Sequence, residues 1–184
     1  MKQIQKKIIK MLGTVLSIVF LIATLDSCKP KDSDNPEELI TTLKLTFSEG
    51  SNTKVFQFKD ADGLGGGLDG IADTIVLDSS KNYHLVVEVL DESTSPATVV
   101  SDEILNEGVD HQFFFNISTE LMMTNTYDDM DSKGLPIGLS NNIIVGKAST
   151  GTLRVNLKHQ PGTKNDSQAI GSSDIDVSFY TIIN

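Results

Sequence analysis

Leu153, Val155 and Leu157 alternate with Arg154, Asn156 and Lys158. In a β-strand, successive side chains point to opposite faces, so this stretch has one apolar and one polar face; a helical period of 3.6 would mix them. The same device recurs along the chain. Leu39, Thr41, Leu43, Leu45 and Phe47 share one face, as do Phe56 and Phe58, then Tyr83, Leu85, Val87 and Val89, and finally Ile175, Val177 and Phe179. Shorter β-prone runs lie at 74–77, 113–118 and 142–145, and polar, glycine-bearing turns separate the runs. A helical turn fits only SDEILNEG, residues 101–108. Short strands without alternating helices predict an all-β fold, an immunoglobulin-like antiparallel β-sandwich of about 7–8 strands. A small antiparallel β-barrel is the alternative.

The chain before this pattern is of another kind. Lys2, Lys6, Lys7 and Lys10 precede an uncharged run at residues 11–25, and the sole cysteine, Cys28, follows Leu25-Asp26-Ser27. A basic start, an apolar middle and a small residue before the cut form a secretory signal peptide. Fifteen helical residues reach about 22 Å, short of the roughly 30 Å hydrocarbon core, which disfavours a membrane-spanning anchor. Leu-Asp-Ser-Cys resembles a bacterial lipobox, with Asp26 the unusual member. The expected division is a lipoprotein signal peptide at 1–27, a lipidated Cys28 and flexible tether at 28–38, and a single β-sandwich domain at 39–184. Each buried methylene contributes about 0.8 kcal/mol, so several acyl chains on one cysteine hold a protein on its membrane almost permanently. A lone cysteine cannot form a disulfide within the chain. The expected location is the outer membrane, facing the periplasm or the cell surface.

The formal net charge is −10, and the leader holds four of the fifteen basic residues. So acidic a domain repels phosphate backbones, which excludes nucleic acid as a partner. Signatures of nucleophile elbows, zinc proteases, Walker loops and dinucleotide sites are absent, so no catalytic residue is assigned and the chain is read as a non-enzyme.

Three segments invite a metal reading. In DADGLGGGLDGIAD (60–73), Asp60 and Asp62 before Gly63 match the front of a calcium loop, whose alternate carboxylates aim at one hard cation. In YDDMDSKGLPIG (127–138), Asp129 and Asp131 repeat that start, with Lys133 where an oxygen belongs. In EILNEGVDHQFFF (103–115), Glu103, Glu107 and His111 recur every four residues, a helical-face spacing that suits a transition metal. Gly108 and the strand-like phenylalanines oppose a helix running through His111. His84 and His159 stand isolated in the sequence.

PEELITTLKLTF (36–47), the D-x-D-G-x-G-G element at 60–66, EGVDHQFFF (107–115) and ASTGTLRVNLKHQPG (148–162) resemble a family of small Bacteroidota-type lipoproteins. Its members carry the automatic label "type 1 periplasmic binding fold superfamily protein". That label names alternating β and α units over two lobes, whereas the pattern here is of strands alone. The resemblance covers roughly 36–182 and carries no catalytic residue. It implies company with TonB-dependent outer-membrane receptors and an accessory role in uptake. The expected function is therefore a membrane-anchored, non-catalytic binding module, with calcium, a transition metal or a small ligand at its acidic loops. The alternative is a structural or adhesive surface lipoprotein with protein partners only.

Overall fold

In a computed structural model the described residues are 39–63 and 70–184. The leader, Cys28, the tether and the middle of the glycine-rich loop lie outside them. Eleven strands and one helix follow one another among the described residues: β1 (Thr42–Glu49), β2 (Asn52–Lys59), β3 (Ile71–Ala72), β4 (Ile75–Leu77), β5 (Asn82–Asp91), β6 (Thr98–Val99), α1 (Val100–Asn106), β7 (His111–Ile117), β8 (Met123–Tyr127), β9 (Ser140–Val145), β10 (Ser149–His159) and β11 (Ser172–Ile183).

They form two sheets. One runs β3-β2-β1-β5-β9-β8, with β6 paired to the far end of β5; the other runs β4-β11-β10-β7. All pairings are antiparallel except β4 with β11. The all-β expectation holds, with more strands than the apolar pattern revealed. β3 and β6 have two residues each, and β8 (MTNTY) is an edge strand with little apolar alternation to announce it.

The alternating residues fill the interior as their period demands. Leu43, Leu45, Phe47, Leu85, Val89, Leu153, Val155, Ile175 and Phe179 are fully buried. Phe56 and Tyr83 both pack edge-on against Phe47, at ring distances of 6.0 and 6.2 Å. Each such side chain contributes about 1.5–3 kcal/mol by leaving water, enough for a core without disulfides. Helix α1 closes one end with Val100 and Ile104, four residues apart on its inner face, while Asp102 and Glu103 sit favourably in its first turn.

Two contacts tie β7 to β8 and to the connection that follows it. Tyr127 Oη of β8 donates to the Phe113 carbonyl of β7 at 2.8 Å, and Phe113 N donates to Ile137 O at 2.7 Å. Burial pushes the Tyr127 phenol up to about 12, so it remains a donor at any physiological pH. The outer face of β10 is less wet than its sequence suggests, because Asn156 and Lys158 are buried as well as Val155 and Leu157. Segment 160–171 folds back over them. Gln168 exchanges two 3.0 Å hydrogen bonds with Asn116, and Gln112 donates to Asp166 at 2.6 Å. Gln160, itself buried, braces the segment by donating to the carbonyls of Ser167 and Ile170.

Candidate metal centre

Extending the β-period outward from the core leads to the site. His111 precedes Phe113 by two residues on β7, and His159 follows Leu157 by two on β10. Both histidines therefore lie on the inward faces of their strands, at the end where apolar residues stop. The strands are antiparallel and in register, with His111 directly opposite His159. Their rings stack 4.6 Å apart and within 7° of parallel.

The third member comes from β11 through an irregularity. Leu157 pairs with Ile175 but Lys158 pairs with Ser173, which leaves Asp174 as the extra residue of a β-bulge. Bulges re-aim side chains, and this one brings Asp174 Oδ2 to 3.9 Å from His111 Nε2. Donor atoms of His111, His159 and Asp174 lie within 4.8 Å of one another, the one such trio of potential metal ligands among the described residues. Gly171, at φ +78°, carries the returning chain so close to the His159 carbonyl that any Cβ would overlap it.

The two nitrogens of His111 face different partners. Nδ1 lies 3.3 Å from the Glu107 carbonyl, which only accepts, so this contact places the ring proton on Nδ1. Nε2 faces the Asp174 carboxylate. The His111 side chain is 4 % exposed. Burial depresses its pKa, with the His159 charge adding to the effect, against opposition from the Glu107 backbone contact and the Glu107 and Asp110 carboxylates. The net direction favours neutral imidazole, the form that ligates metals.

The sequence-derived donors fare differently. The predicted helical turn forms as α1, but it ends at Asn106, before Glu107 and His111 can share its face. Glu103 stays on the helix, outside the trio. Glu107 Oε2 is 3.8 Å from Nδ1 of His111, the nitrogen turned away from Asp174, so it cannot join Nε2 on one ion. His159, isolated in sequence, becomes a member.

Asp129 and Asp131 have other work. Asp129 accepts from the amides of Gly138, Leu139 and Ser140 at 2.7, 2.8 and 3.1 Å. Asp131 Oδ1 accepts from the amides of Lys133 and Leu135, and its Oδ2 meets Lys164 Nζ at 2.9 Å. The expected cation loop is thus a self-capped turn sealed by an ammonium. Asp60 is buried beside a cavity of about 250 Å³ lined also by Thr41, Lys59, Ala61 and Glu92. Lys59 Nζ pairs with Glu92 there at 2.8 Å, placing a cation already in the wall. Asp62 is exposed at the start of the turn, and residues 64–69 of that loop lie outside the described residues.

Comparisons with protein-family models, with curated proteins and with solved structures returned no match. No described helix is long and apolar enough to cross a membrane.

Proposed function

We propose that the chain is an exported lipoprotein, anchored through Cys28, whose β-domain is a non-catalytic binding module with its site at His111, His159 and Asp174. The convergence of these three carries the reading. The two histidines stand just past the last apolar residues of the inward alternations of β7 and β10, where two more hydrophobic residues and a regular strand would pack at lower cost. The anchor rests on the basic start, the uncharged run and Leu-Asp-Ser-Cys. Such a module, held close to its membrane by a short tether, suits an accessory role beside an outer-membrane receptor. Labelled palmitate should enter the wild-type protein and not Cys28→Ala, which should also leave the membrane fraction; equal labelling would refute the anchor.

A test of the site needs no knowledge of its ligand. Polar groups kept for binding cost stability, whereas polar groups kept as structural cement supply it. His111→Leu combined with Asp174→Leu should therefore hold or raise the melting temperature. The Glu107 carbonyl freed by this change still accepts from Asp110 N at 2.9 Å. A fall of more than about 5 °C would assign the trio to stability and overturn the site.

A further inference from the structure

We infer that this site takes a single divalent transition cation of borderline softness, such as zinc, copper or cobalt, between His111 Nε2, the His159 imidazole and the Asp174 carboxylate. The inference rests on the site reading above and adds the class of ligand. Its starting point is geometric. His111 and His159 face each other across paired strands, and the β11 bulge brings Asp174 Oδ2 to 3.9 Å from His111 Nε2, so that donor atoms of all three lie within 4.8 Å of one another. The Glu107 carbonyl lies on the Nδ1 side of the His111 ring, which leaves Nε2 on the side of the trio.

The donor set selects its kind. Two imidazoles and one carboxylate suit zinc, copper, nickel and iron, while calcium and magnesium require oxygen shells that this trio lacks. Zinc bonds of about 2.0–2.2 Å in a tetrahedron set donors about 3.3–3.5 Å apart, so on loading the trio closes by roughly an ångström and the His159 ring turns out of its stack on His111, because an ion bonds in the plane of each imidazole. His159 and Asp174 are only partly buried. Three protein ligands leave a fourth position open to water or an external donor.

Glu107 is a positioning residue in this arrangement. Its carbonyl holds Nδ1–H and thereby turns Nε2 toward the ion, the usual outer partner of a metal-bound histidine. The clamp that sets its turn is built from the chain beyond His159. Gln160 N donates to Asp110 O at 2.6 Å, Gly162 N to Asp110 Oδ1 at 3.0 Å, and Lys164 Nζ to Gly108 O at 2.6 Å. The segments carrying the two histidines are therefore fixed to each other before any ion arrives.

Titration of the purified full-length protein in detergent with cobalt, zinc and calcium tests this, read by cobalt absorption and zinc competition. The wild type should bind one cobalt ion, displaced by zinc and not by calcium. His159→Gln and Asp174→Asn should each weaken binding by at least about a hundredfold, and His111→Gln likewise if it folds. Glu107→Gln keeps the backbone carbonyl and should stay within about tenfold of wild type. Absence of cobalt and zinc binding, or binding indifferent to His159→Gln and Asp174→Asn, overturns the proposal. So does a loss in Glu107→Gln as deep as in Asp174→Asn. If the apolar double variant keeps its stability while no ion binds, the site survives and the ligand class falls; if that variant collapses, the site itself falls.

Discussion

Lys164→Ala should destabilise the domain by about 3–5 kcal/mol, because it leaves the Asp131 carboxylate buried without its counter-charge. The two side chains are 0 % and 1 % exposed, and the ammonium also donates to Gly108 O at 2.6 Å. For a domain of this size, such a loss lowers the melting temperature by roughly 6–20 °C. Neutralising both partners, Lys164→Met with Asp131→Asn, should recover part of it, since no charge is then left alone and a side-chain oxygen still accepts from the amides of Lys133 and Leu135. Urea unfolding of the two single variants and the double variant measures the difference. A Lys164→Ala protein as stable as wild type would show that water reaches the pair.

The same pair sets an acid limit. Burial pushes the Asp131 carboxyl upward, but the Lys164 ammonium and the amides of Leu135 and Lys133 together outweigh it, and the net direction is down. A carboxylate depressed in the folded state stabilises fully above its unfolded value of about 3.9 and progressively less as pH falls through its folded one. The double variant should lose less stability on acidification than wild type does.

Asp129→Ala is expected to cost about 2–4 kcal/mol, since three backbone amides lose one acceptor together. The site cannot easily repair itself. Gly138 sits at φ +92°, and a Cβ there would stand 2.8 Å from the Phe113 Cβ, so the backbone around the carboxylate is fixed. Asp129→Asn should recover part of the loss, because one amide oxygen still accepts. Thermal melting with calcium and with chelator should give one curve for wild type, since these oxygens are already committed. A calcium-dependent rise abolished by Asp129→Asn would restore the calcium loop that the residue pattern suggests.

Strands with a strict apolar alternation are legible in the sequence: β1, β5, β10 and β11 place Leu43, Leu85, Val155 and Val177 inward as the period requires. The edge strand β8 is not, because Met123–Tyr127 makes its pairing with backbone bonds and little apolar alternation. The same limit hides part of the site. His111 stands out through a helical spacing that does not exist, yet a sounder signal is present: His111 and His159 each continue an inward-facing alternation past its last hydrophobic residue. Asp174 has no such signal, because its orientation follows from a bulge, and a register slip leaves no mark on composition. The aspartates at 129 and 131 mislead for a related reason. Carboxylates two apart before a glycine satisfy a cation and a set of turn amides equally well, and only the path of residues 133–140 decides between them.

Crystals grown with cobalt or zinc, with anomalous scattering recorded at the metal edge, test the account most directly. It predicts one strong peak bounded by His111 Nε2, the His159 ring and the Asp174 carboxylate. A peak at Asp60 and Asp62 or at Asp129 and Asp131, with none at the histidines, would contradict it.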